Sequence, residues 1–255
     1  MPLVAGIDAF RDAMAGHEDK YVLIGGGACS LLFEGTPQEF RLTKDLDIVI
    51  LAASDDVEFG KRLWSFVRAG SYTCGVREDG SARYYRFTLP SDNGRMAGTD
   101  LPQEIELFSH ANWPVDAGVQ IVPVPFDDDL SSLSAILLDE GYYRFIKEGI
   151  VIKHGVPIPD VLHVIPLKMR AHIDLNKRHE NGEDVRRRNL TKHRSDVLAL
   201  AGLLTDDDSC KLPSSIERDV KEFLDRLEEH AHNVRRKERP MIINTARFLA
   251  KAYCL

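Results

Sequence analysis

The stretch Arg41-Leu42-Thr43-Lys44-Asp45-Leu46-Asp47-Ile48-Val49-Ile50 decides how the chain is read. Its second half is apolar and β-branched, so Asp47–Leu51 reads as a buried strand. Residues two apart in a strand share a face, which sets Asp45 and Asp47 side by side. Two carboxylates at that spacing repel, and burying them unpaired is costly. Either each is simply solvated or a divalent cation sits between them. Hard oxygen donors of this kind suit Mg²⁺ or Mn²⁺, which keep positions open for substrate phosphates.

Upstream, Tyr21-Val22-Leu23-Ile24 is an apolar run ending in Gly25-Gly26-Gly27. It reads as a buried strand entering a tight turn, with a short helix over Ala28–Phe33. Amides in such a turn can approach a phosphate closely, and a helix N-terminus adds favourable partial charge. Downstream, Glu104-Ile105-Glu106-Leu107-Phe108 is a further strand with two carboxylates on one face. As a neighbour of the Asp47 strand, it would supply the third carboxylate that two-metal phosphoryl chemistry requires.

Around this nucleus the first half alternates. Phe59, Leu63, Phe66 and Val67 fall at helical spacing with Gly70 as the stop, and Tyr84–Leu89 reads as a strand. Ser91–Gly94 is a turn signal, and Gln120–Pro125 an edge or a connection. The second half changes character. Ser131–Leu138 and Tyr142–Lys147 read as short helices, and Val151–Pro159 as a proline-bearing connection. Pro166 is expected to open a helix, Gly182 to break it, and Ser214 with Glu217 to form a capping box. Ile216, Val220, Phe223, Leu224 and Leu227 give the strongest helical period in the chain. The expected fold class is α+β: a mixed sheet flanked by helices over residues 1–120, then a mainly helical part over 121–255.

The chain has 255 residues and a net charge of −7, unevenly spread. Residues 1–167 carry 14 Lys/Arg against 25 Asp/Glu, whereas 168–194 carry 9 against 4. That basic segment is either a solvated face or a surface for a phosphate-bearing partner. No apolar run reaches the roughly 20 residues that cross a bilayer, so no membrane is expected. The start carries Asp8, Arg11 and Asp12 and is not read as a signal peptide; with four dispersed cysteines, a cytoplasmic protein with reduced thiols is expected. His230 and His232 lack the partners of a closed zinc site.

LIGGGA, RLTKDLDIVI and IELFSHA together resemble the nucleotidyltransferase (DNA polymerase β-like) superfamily, and more specifically its AbiEii-like abortive-infection group. The arginine-x-threonine before Asp-x-Asp, here Arg41 and Thr43, also occurs in that group, as do a helix bearing a lysine and a later lysine/aspartate helix. The resemblance spans roughly residues 20–200. It implies that Asp45, Asp47 and Glu106 bind the catalytic metals, Glu106 being chosen over Glu104 because Leu107-Phe108 follows it. Gly25, Gly26, Arg41 and Thr43 would hold the nucleotide, Lys168 would neutralise its phosphates, and Lys192 or Asp196 would help arrange the site. Two departures stand out: the spacer between Gly26 and Asp45 is long, and Gly27 replaces a common Ser or Thr.

The implied activity is transfer of an NMP group from an NTP to an acceptor hydroxyl with Mg²⁺ or Mn²⁺, in a toxin or phage-defence role. A tRNA or other RNA is the implied acceptor, and an antitoxin protein a further partner. The alternatives are a small-molecule or protein acceptor, or a nucleotide-binding regulator without turnover.

Overall fold

A computed structural model describes residues 4–38, 40–52, 56–76, 82–90, 101–108, 113–116, 119–121 and 139–255. The Ser91–Gly94 turn, the Ser131–Leu138 helix and most of Gln120–Pro125 lie outside these residues. The chain forms two compact units, one of Met1–Leu130 with Ile150–Pro159, the other of Ser131–Gly149 with Asp160–Leu255.

The first unit is built on a five-stranded mixed sheet. Its strands are β1 (Tyr21–Ile24), β2 (Asp45–Ile50), β3 (Thr73–Val76), β4 (Ala82–Thr88) and β5 (Glu104–Phe108), in the order β1-β2-β5-β4-β3. β2 and β5 are parallel, and every other neighbouring pair is antiparallel. Register fixes the faces. Tyr21, Leu23, Ile48, Ile50, Ile105 and Phe87 share one face, and all are fully or almost fully buried. Helices α1 (Ile7–Ala13) and α3 (Val57–Ala69) cover it: the Tyr21 ring meets Phe10 edge-on at 5.4 Å and stacks with Phe59 at 6.4 Å, and Trp64 meets Phe87 at 5.8 Å. The side chain of Asp56 caps α3 by accepting from the Phe59 amide, and Gly70 ends it as expected. The opposite face carries Asp45, Asp47, Glu104 and Glu106.

Three local expectations are revised here. The glycine triplet is not a turn that precedes a helix at Ala28: α2 spans Gly25–Leu32 and starts at the first glycine, whose φ of +67° makes the reversal out of β1. Only glycine adopts that conformation without strain. Residues Trp113–Asp116 (β6) and Val119–Ile121 (β7) pair as a hairpin. The expected connection over Val151–Pro159 is also a hairpin, β8 (Ile150–Lys153) with β9 (Val156–Pro159), turning at His154 and Gly155 with positive φ at both. β9 lies against β1, and His154 Nε2 stands 2.7 Å from Asp8 Oδ1.

The second unit is helical: α4 (Glu140–Glu148), α5 (Val161–Glu180), α6 (Arg187–Ala201), α7 (Ser214–Asn233) and α8 (Arg239–Ala252). Asp139 caps α4 and Asp160 caps α5 through their side chains. The α7 period holds, with Ile216, Val220, Phe223 and Leu227 all buried. Ser214 and Glu217 form no capping box, because Pro213 takes the cap position and no side-chain cap bond is made. Buried Tyr142 of α4 donates to Asp219 Oδ2 at 2.9 Å while Arg170 of α5 donates to Asp219 Oδ1 at 2.8 Å, tying three helices at one carboxylate.

Pro166 does not open α5 but lies inside it. A proline has no amide hydrogen, so the carbonyl of Leu162, four residues earlier, loses its helical partner. The Tyr253 hydroxyl, from the fully buried ring just past α8, donates to that carbonyl at 2.9 Å. Proline inside a helix is thus tolerated because a distant phenol takes over the missing donor.

Candidate functional site

The predicted carboxylates converge through strand register. In the parallel β2–β5 pair Asp45 faces Glu104 and Asp47 faces Glu106, so four carboxylates occupy one end of one sheet face. Further along the same face the pair is Val49 and Phe108, both buried, so the acidic group ends at an apolar floor. Asp45 is exposed, Asp47 and Glu104 are half-buried, and Glu106 is 6% exposed. Burial raises the Glu104 carboxyl above its ordinary range, and the charges of Glu106 and Asp45 push it the same way against the pull of Arg86.

The glycines meet the acidic strand directly. A Cβ on Gly25 would lie 1.8 Å from Asp47 Oδ2, and one on Gly26 would lie 2.9 Å from Thr43 Oγ1. Asp47 therefore sits against the backbone at the start of α2, where the partial positive charge of the helix end favours a carboxylate. The missing side chains at both positions are what let GGG and RLTKDLD close on each other. Gly27 turns elsewhere, toward Leu23, whose side chain would be 3.1 Å from its Cβ. Arg41 is exposed, its guanidinium 4.8 Å from the centre of the Phe40 ring, and its carbonyl accepts from buried Ser30 at 3.2 Å. Thr43 anchors the approach to β2 by accepting from the Ala5 amide at 2.9 Å.

Arg86 of β4 was not foreseen from the sequence. It faces Glu106 across the β4–β5 pair, forms an ion pair with it, and lies 3.7 Å from Glu104. A lone arginine in a predicted strand carries no signal of this, because only sheet order brings it to the acidic face. The donor types and their shared face fit a hard divalent cation. As the side chains stand, however, no three His, Cys, Asp or Glu groups among the described residues are gathered to hold a metal ion. Glu106 is turned to Arg86 instead. A three-carboxylate set needs Glu106 to exchange that guanidinium for the cation.

The residues expected from the helical half belong to the second unit. Lys168 of α5 and Asp196 of α6 lie 3.4 Å apart, each with only 2% of its side chain exposed. Lys192, one turn before Asp196 on α6, is exposed. Lys168 and Asp196 are thus brought to each other, in a buried pair that joins α5 to α6. Set against known proteins, the chain matches no family model, no curated sequence and no solved structure.

Proposed function

We propose that the protein is a metal-dependent nucleotidyltransferase of the polymerase β-like type, moving an NMP group from an NTP to an acceptor hydroxyl. One observation carries this reading: in-register Asp45–Glu104 and Asp47–Glu106 pairs lie on one sheet face, with Gly25 closed on Asp47. Asp45 and Asp47, joined by Glu106 once it leaves Arg86, would hold Mg²⁺ or Mn²⁺. The bound metal supplies charge neutralisation and Lewis acidity at the triphosphate. Gly25 and Gly26 bring the backbone at the start of α2 close to Asp47 and Thr43, where it would hold the phosphates together with Arg41 and Thr43. Glu106 would act as a metal ligand or as the base toward the attacking hydroxyl. Arg86, freed from Glu106, stays on the same face as a second positive charge. By the motif resemblance alone, Lys168 would neutralise phosphate charge and Lys192 or Asp196 would help arrange the site. An RNA acceptor such as tRNA agrees with the basic segment at 168–194, and the toxin or defence role, with an antitoxin as partner, follows from the motif resemblance.

The ion pair between Arg86 and Glu106 favours a second reading, a nucleotide-binding regulator without turnover. One assay separates the two. The purified protein is given each labelled NTP with Mg²⁺ and total cellular RNA, and both RNA label and pyrophosphate are followed. Label on RNA that disappears in Asp45→Ala and Asp47→Ala supports transfer to RNA. Metal-dependent NTP binding with no pyrophosphate release supports the regulator. Pyrophosphate release with label on a small amine or a protein keeps the chemistry and changes the acceptor.

A further inference from the structure

The third carboxylate of the candidate site is already engaged. Register places Asp47, Glu106 and Arg86 in one row across β2, β5 and β4, on the same face of the sheet. Arg86 Nη2 pairs with Glu106 Oε1, and Arg86 Nε lies 3.7 Å from Glu104. Glu106 is 6% exposed, whereas 32% of the Arg86 side chain remains exposed. Two strand spacings, about 10 Å, separate Arg86 from Asp47 along the row. A phosphate chain on a cation at Asp45 and Asp47 would therefore stand close to the guanidinium.

A carboxylate as buried as Glu106 needs a cationic partner in every state of the site, because a buried charge without one is costly. Arg86 is that partner here, through a charge-assisted contact of the strong kind. A divalent cation arriving by itself would have to displace Arg86 from Glu106 and leave its own charge beside the guanidinium. A cation arriving with a triphosphate meets a different balance. Phosphate oxygens match the planar guanidinium fork as well as a carboxylate does. Arg86 can then pass from Glu106 to phosphate while Glu106 passes from Arg86 to the cation, and neither buried charge is stranded.

We infer, on the nucleotidyltransferase reading of the site, that Arg86 couples metal loading to nucleotide binding. It holds Glu106 until a nucleoside triphosphate draws it away, so the three-carboxylate set closes only around metal and nucleotide together. The same coupling accounts for the side-chain arrangement, in which no three such groups among the described residues are gathered for a metal ion. By reciprocity, whatever weakens the hold of Arg86 on Glu106 strengthens the binding of metal alone.

The test uses the full chain and two probes. Mn²⁺ alone is titrated in metal-free buffer and followed by the paramagnetic resonance of the free ion. A non-transferable NTP analogue, with a methylene group between the α and β phosphorus atoms, is titrated by calorimetry in the presence of Mg²⁺. Both are run on the wild type, Arg86→Gln, Arg86→Lys and Arg86→Gln with Glu106→Gln, with circular dichroism and metal-free melting establishing that each is folded. Arg86→Gln should bind Mn²⁺ about tenfold more tightly, and the gain should be lost when Glu106→Gln is added. The same variant should bind the analogue about tenfold more weakly. Arg86→Lys, which keeps the charge without the fork, should leave Mn²⁺ affinity near that of the wild type and lose only part of the analogue affinity. Unchanged Mn²⁺ affinity in Arg86→Gln overturns the proposal. Tighter Mn²⁺ binding with unchanged analogue binding overturns it as well, since Arg86 would then obstruct the metal without answering to the nucleotide. A wild type that binds the analogue but releases no pyrophosphate from any NTP ends the transferase reading instead, and the two titrations still decide the part played by Arg86.

Discussion

The two units handle charge in opposite ways. On the sheet, four carboxylates share one end of a face, where Arg86 pairs with Glu106 and lies 3.7 Å from Glu104. In the helical unit carboxylates are tied to partners on neighbouring helices, Asp196 to buried Lys168, and Asp219 to Arg170 and Tyr142. Matched buried charge holds helices together, and its loss is felt as instability. Carboxylates gathered at the end of a sheet face stand where a ligand can meet them, and their loss should be felt as lost activity with the fold intact. The contrast teaches that the same residue types do different work according to where the fold puts them.

The largest effect that would sharpen this contrast is at Asp47. Asp47→Asn keeps the volume and removes the charge, and transfer should fall about a thousandfold while the melting temperature changes little. A large loss of melting temperature would break the comparison, since it would make Asp47 a structural charge like Asp196.

Next in size is the buried pair. Lys168→Met strands Asp196 without its partner and should cost about 3–5 kcal/mol by urea unfolding, whereas Lys168→Met with Asp196→Leu should recover most of that loss. A double variant as unstable as the single one would refute the matched-pair description.

His172 gives a pH-dependent effect of about 3 kcal/mol at most. Burial first, and then Arg194, push it down from 6.5 to about 4. The unfolded chain therefore takes up a proton that the folded chain refuses between these values. Stability from this residue is fully present above pH 6.5 and is lost as pH falls toward 4. In His172→Gln the urea midpoint should lose this part of its fall between pH 7 and 5; an unchanged profile would show that the histidine does not titrate in this way.

Smaller effects are expected at the glycines. Gly25→Ala and Gly16→Ala both place a side chain at positive φ, +67° and +84°, but only the first meets Asp47. Each should lose about 1–2 kcal/mol from backbone strain, and Gly25→Ala alone should also lose transfer activity. Equal activity in the two variants would mean that the close approach of Gly25 to Asp47 has no part in the site.

Much of the sheet unit was legible beforehand because its signals are local. The apolar run Tyr21–Ile24, the alternation of Asp45, Leu46 and Asp47, and that of Glu104, Ile105 and Glu106 each state which side of a strand faces inward. The helical period of α7 was equally plain. Of the readings that failed, one turned on a partner far away in the chain and another on an adjacent residue. Pro166 looked like a helix start because nothing near it shows that Tyr253 would serve the Leu162 carbonyl. Ser214 and Glu217 had the spacing of a capping box, but Pro213 holds the cap position and the helix begins on the serine.

The sequence by itself determined that two carboxylate pairs lie on strand faces and that glycines make the reversal out of the first strand, since side-chain alternation and backbone freedom are properties of a few adjacent residues. Only the tertiary structure decided that β2 and β5 are parallel neighbours in register, that Arg86 answers Glu106, and that Tyr253 serves the Leu162 carbonyl. Those outcomes depend on sheet order and helix packing, which sum many weak long-range contacts that no short stretch of the chain contains.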